Sequence, residues 1–147
     1  MEKLKYPRSF PNEEEEIFLK LVLSNDDDFP QMWNKWRQEV VFDKIDHATF
    51  KLLPLLYLRL KNFNFPADDV INRIKGVYKL SWYKNQLIID AVSNIISILN
   101  KENIPVVLLK GIPLLENVYK DRGARSLGDG DILIDSKYVE KVKNLMI

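Results

Sequence analysis

The residues best suited to chemistry are two aspartates, Asp129 and Asp131, separated by Gly130 and followed by the apolar run Ile132-Leu133-Ile134. The run reads as a β-strand with the aspartates at its entrance. Side chains two apart on a strand point to one face, with Cα atoms about 6–7 Å apart. Two carboxylates so placed are able to converge on one divalent cation, or to bridge two. Mg²⁺ takes oxygen ligands, commonly one or two carboxylates with waters and substrate phosphates. Paired ions stabilise both the attacking and the leaving oxygen in phosphoryl chemistry. Asp-Gly-Asp is also good turn chemistry, and Gly128-Asp129-Gly130 fits a β-turn, so the triplet alone leaves both readings open. An EF-hand is excluded. With Asp129 as first ligand, Leu133 takes the fifth position and Ile134 falls where glycine is required.

A second feature lies upstream. Pro105-Val106-Val107-Leu108-Leu109 reads as a short buried strand, and Lys110-Gly111 follows it directly. Ile112 to Tyr119 then has helical spacing, with Pro113 in a first-turn position. Strand, glycine and helix in succession let backbone amides approach a phosphate. A turn that needs glycine's conformational freedom explains Gly111 equally well. Four of the five glycines fall between positions 111 and 130, so tight turns concentrate around both features.

Composition narrows the chemistry. The 147 residues contain no cysteine and one histidine, His47. Disulfides, thiolate catalysis, iron–sulfur clusters and cysteine-ligated zinc are excluded, as is any multi-histidine metal site. No nucleophile or metal pattern adjoins His47, which reads as a capping or surface residue. Carboxylates, lysine, arginine, hydroxyls and backbone amides remain. With 22 basic and 21 acidic residues the net charge is +1, so there is no strong nucleic-acid signal and no field for an anionic membrane. No targeting segment or bilayer-length apolar run is visible, and a cytoplasmic protein is expected.

The elements that must position these residues are mostly helices. Asn12 is expected to cap a helix whose first turn is Glu13–Glu16, carboxylates that offset the helix dipole. Asp26–Asp28 repeats the device before a helix bearing Trp33 and Trp36, which share a face and read as core. Asp46 to Lys61 is a third, leucine-rich helix, with Pro54 kinking it or marking its start. Asn64 to Ala67 reads as a linker. Asp68 and Asp69 then open a long helix to about Lys101. Its expected buried stripe is Val70, Ile74, Val77, Leu80, Ile88, Val92, Ile95, Ile96 and Leu99. The division is a helical region over 1–101 and a strand–helix–strand–helix segment over 102–147.

Leu109-Lys110-Gly111, Tyr119, Arg125 and Asp129-Gly130-Asp131-Ile132-Leu133-Ile134 together resemble an uncharacterised bacterial nucleotidyltransferase family within the DNA-polymerase-β-like superfamily. The match is sharpest over 104–135, and Pro54-Leu55-Leu56-Tyr57 extends it loosely upstream. The resemblance implies an α+β fold, mostly α, in which a helical bundle precedes the start of a mixed-sheet core. It implies Mg²⁺ at Asp129 and Asp131, the catalytic pair, and a nucleoside triphosphate such as ATP. Lys110, Gly111 and Arg125 are then the phosphate or acceptor contacts, each cation having a surface role as its alternative, and Tyr119 packs. The acceptor is not specified. Ile112 replaces the family's usual small residue after the glycine, and Gly130 replaces an apolar one, which should loosen the strand edge. The superfamily's third carboxylate has no good counterpart. Asp135 lies about 13 Å along the strand from Asp131, and Glu140 belongs to an expected helix from Ser136 to Met146. The length is therefore read as that of a truncated member. A non-catalytic helical binding or regulatory module is the alternative to an enzyme.

Overall fold

The computed structural model describes residues 10–146. They form two compact units, the first ending at Leu52 and the second beginning at Leu53.

In the first unit, α1 (Glu13–Leu23) starts at a capping box. Asn12 Oδ1 accepts from Glu15 N at 2.8 Å, and Glu15 Oε2 accepts from Asn12 N at 2.7 Å. All four glutamates lie in the first turn, as expected. Helix α2 (Phe29–Glu39) has no acidic residue in its first turn. Asp26–Asp28 precede the helix as expected, with Asp28 at the N-cap, where its side chain accepts from Asn25 Nδ2 at 2.9 Å and its N donates to Asn25 Oδ1 at 2.8 Å rather than capping the helix. Trp33 and Trp36 are buried, with rings 5.7 Å apart, and Phe18 packs 5.3 Å from Trp36. They are core, as their spacing indicates. Helix α3 (His47–Leu60) is capped by Asp46, whose Oδ1 accepts from Ala48 N and Thr49 N. His47 is exposed. Pro54 lies inside α3 and is buried, so it does not mark the start.

The second unit is built on α4 (Asp69–Lys101), whose N-cap Asp68 accepts from Ile71 N at 2.7 Å. Its buried line is Ile74, Ser81, Asn85, Val92 and Leu99, while Leu80 is 49% exposed. The expected stripe is thus wrong in the middle of the helix, where polar residues take the inward positions. The helix ends in a Schellman motif. Asn103 adopts a left-handed φ of 56°, and Ile104 N donates to Leu99 O at 2.9 Å. Asn103 N donates to Asn100 O at 3.0 Å, and Ile104 is buried, as is Leu99. That reversal feeds β1 (Val106–Leu109).

A short helix, α5 (Gly111–Leu114), follows and widens into a π-helical turn over Leu115–Tyr119. The second strand, β2 (Asp131–Ile134), pairs antiparallel with β1, Leu109 opposite Asp131 and Val106 opposite Ile134. A 3₁₀ turn (Ser136–Tyr138) leads into α6 (Val139–Leu145), so the expected single helix is split. Val92, Ile112, Leu115, Ala124 and Leu127 form a buried cluster against which Leu108 and Ile132 pack from the sheet. Tyr119 packs there too, the role expected of it. The architecture is α+β and mostly α, as expected, with one two-stranded sheet among the described residues. No described helix is long and apolar enough to cross a membrane.

Candidate functional site

The site forms where β1 ends and β2 begins. Antiparallel register sets Leu109 opposite Asp131, so the Lys110-Gly111 turn emerges beside the first residue of β2. Lys110 Nζ lies 3.2 Å from Asp131 Oδ2. The lysine side chain is 73% exposed and the aspartate 32%. An ion pair this open contributes about 0–1 kcal/mol.

Lys110 holds a backbone conformation that lysine rarely adopts, with φ 55° and ψ −111°. That is the mirror image of the first central residue of a type II turn, a position dominated by glycine. Holding a side-chain-bearing residue there costs about 1–3 kcal/mol. Gly111 beside it is fixed by packing. A Cβ at Gly111 would lie 2.5 Å from Leu127 Cδ2 and 3.7 Å from Arg125 Nη1. The guanidinium of Arg125 therefore approaches the same turn.

Of the expected site residues, the fold groups Lys110 with Asp131, and Gly111 with Arg125. Asp129 is exposed and precedes β2, so strand alternation does not by itself align it with Asp131. Gly130 between them is tightly packed. A Cβ there would collide with Val92 Cγ2 on α4 and lie 3.4 Å from Ile112 Cδ1. The expected loosening of the strand edge is replaced by a close approach of backbone to helix, which only glycine permits.

Neither later carboxylate joins the pair. Asp135 caps the following 3₁₀ turn, its Oδ1 accepting from Lys137 N at 3.0 Å while Oδ2 pairs with Lys137 Nζ at 3.3 Å. The hydrogen bond from the Lys137 backbone, with the Lys137 ammonium, holds its carboxyl below the usual range. Glu140 pairs with Lys143 at 2.7 Å on α6. Among the described residues, no group of three or more His, Asp or Glu is placed to hold a metal ion.

The segment that delivers the aspartates is strapped to α4 at three levels. Tyr78 Oη donates to Asp121 at 3.0 Å, and Asp121 Oδ1 accepts from Gly123 N at 2.8 Å. Burial, with that carboxylate, pushes the Tyr78 hydroxyl up to about 12. Asn85 Nδ2 donates to Arg122 O at 2.5 Å and to Arg125 O at 2.7 Å, while Asn85 Oδ1 accepts from Leu127 N at 2.8 Å. Val92 meets Gly130. Residues 78, 85 and 92 recur every seven positions, on one face over about 21 Å of helix. On the outer edge, Arg122 Nε donates to Glu116 at 2.7 Å and its Nη1 to Gln86 Oε1 at 3.1 Å.

Tyr78, Asn85 and Gln86 were not anticipated. The signal was the gap in the apolar stripe between Leu80 and Ile88, where Ser81 and Asn85 fall in phase with Ile74 and Val92.

Residues 47–147 match the family model described as "uncharacterised nucleotidyltransferase". The chain belongs to that nucleotidyltransferase family. Neither a curated protein nor a solved structure matched it. The matched region of this nucleotidyltransferase-like protein takes in α4, the strap, and both strands.

Proposed function

We propose that the protein transfers a nucleoside monophosphate from a nucleoside triphosphate to a hydroxyl or phosphate acceptor, in a Mg²⁺-dependent reaction within the polymerase-β-like superfamily. The observation that carries this is the meeting of Asp131 with the Lys110-Gly111 turn, Lys110 Nζ standing 3.2 Å from the carboxylate. The donor set fits the ion. Asp129 and Asp131 offer oxygen only, and Asp131 already takes a cation at its open edge. When bound, Mg²⁺ supplies charge neutralisation on the phosphates and the leaving pyrophosphate.

The chain's own groups do the rest by position and charge. Asp129 and Asp131 would hold the ion at the mouth of the sheet, where it would position the triphosphate. Lys110, released from Asp131, and Arg125 meet phosphate oxygens, and the Gly111 backbone N–H lies in the same turn. The acceptor oxygen bonds to the α-phosphorus as the bond to pyrophosphate breaks, pyrophosphate leaving with the bonding electrons and a hydroxyl acceptor's proton passing to solvent. Preorganised cations aimed at that developing charge suit a chain with no cysteine and one histidine.

Labelled nucleoside triphosphates, the full chain, and its Asp129→Ala and Asp131→Ala forms test this. Each substitution is expected to lower metal-dependent transfer at least about 100-fold, since several kcal/mol of charge stabilisation is lost. Transfer that survives both substitutions refutes the assignment.

A second reading is a non-catalytic nucleotide-binding or regulatory module of the same family. It is favoured by Asp135, whose carboxylate is committed to Lys137. Calorimetry with MgATP and MgCTP, beside the transfer assay, separates the two. Binding with turnover supports the enzyme, and binding without it supports the module.

A further inference from the structure

We propose, resting on the reading of Asp129 and Asp131 as ligands of a divalent cation, that Asn85 is the positioning residue that sets Asp129 against Asp131. Asn85 is fully buried in the middle of α4. A buried carboxamide is costly unless its polar atoms are bonded, and three of its four bonding positions are used. All three partners are main-chain atoms, those of Arg122, Arg125 and Leu127. Asn85 therefore fixes the path of the backbone rather than any side chain on it.

That path ends at the metal pair. Asp129 comes two residues after Leu127, a span of at most about 7 Å. Asp131 is held independently, by β-pairing with Leu109. Asp129 lies outside the strand and has no such restraint from the ladder. A shift of the segment at Leu127 thus moves Asp129 relative to Asp131, and it is their separation that decides whether both reach one ion. Tyr78 pins the far end of the strap and Val92 meets Gly130 just after Asp129, while Asn85 holds the main chain of the stretch immediately before Asp129, where the Leu127 side chain is also buried.

The test measures Mn²⁺ binding to the 147-residue chain, by loss of the free-ion electron paramagnetic resonance signal. The proteins are the wild type, Asn85→Asp, Asn85→Ala and Ile74→Ala. Asn85→Asp keeps the volume and the acceptor for Leu127 N–H and loses at least one of the two donors. Asn85→Ala loses all three bonds. Ile74 is a fully buried residue of α4 outside the strap, so its variant reports general loss of stability. Circular dichroism establishes that each is folded at the assay temperature.

Both Asn85 variants are expected to raise the Mn²⁺ dissociation constant about tenfold or more, as loss of outer-shell support does at metal sites. Ile74→Ala is expected to stay within about twofold at a comparable loss of melting temperature. If Asn85→Ala does not fold, Asn85→Asp decides. Wild-type affinity in a folded Asn85 variant overturns the positioning role and leaves the metal reading standing. An equal weakening in Ile74→Ala also overturns it. A wild type that binds no Mn²⁺ overturns both.

Discussion

Gly130→Ala probes the contact that seats the aspartates on α4. Two effects oppose each other. Gly130 does not have a positive φ, so alanine meets no backbone strain there. The smaller conformational freedom of the unfolded chain then favours alanine by about 0.4–1 kcal/mol. Against this, the new methyl collides with Val92 Cγ2 and crowds Ile112 Cδ1 and Ile88 Cγ2, at 3.4 and 3.6 Å. Val92 is itself buried in the cluster beneath the sheet, so it has little room to retreat. Overpacking of this kind costs about 1–3 kcal/mol. The net expectation is destabilisation by up to about 2.5 kcal/mol. Val92→Ala alone should cost about 2 kcal/mol through lost burial and the cavity left behind. Together they should not add. Removing Val92 Cγ2 takes away the obstacle, and the new methyl partly fills the space. The double variant should therefore be less destabilised than the sum by about 1–3 kcal/mol. Urea unfolding of the four proteins, compared at constant m-value, measures the cycle. Strict additivity, or a stabilised Gly130→Ala, would refute the close packing of Gly130 on α4.

Two further expectations concern the same region. Lys110→Gly should be more stable than Lys110→Ala by about 1–2 kcal/mol, because both lose the ion pair but only glycine relieves the left-handed backbone. Equal denaturation midpoints would remove the strain at Lys110. Tyr78 ionises near about 12 when folded and near about 10 when unfolded. Above pH of about 10 the unfolded chain releases a proton that the folded chain keeps, so stability present below that pH is lost toward about 12. The loss is at most about 2–3 kcal/mol, and Tyr78→Phe should flatten that part of the pH–stability curve. An unchanged slope in the variant counts against the Tyr78–Asp121 hydrogen bond.

Features that depend on local spacing are legible in the amino-acid order. The Asn12 cap, the acidic first turn of α1, the Trp33–Trp36 core pair, the extent of α4 and the two strands are short-range patterns, and each is legible within a turn or two of chain. The Lys110-Gly111 and Asp129-Gly130-Asp131 motifs were legible for the same reason, and the family match covers both. Tertiary structure decided what lies across the sequence. Asn85 bonds residues 37 to 42 positions away, and nothing in its own neighbourhood marks those partners. A stripe drawn from apolar residues alone put Leu80 inside, because it assumed that a helix buries only side chains. Here α4 buries a length of bare backbone, whose carbonyls and amides need polar partners once they leave water. Gly130 shows the same limit. Beside two aspartates it reads as a loose edge, and only the approach of Val92 from another element makes it a close contact of the strap.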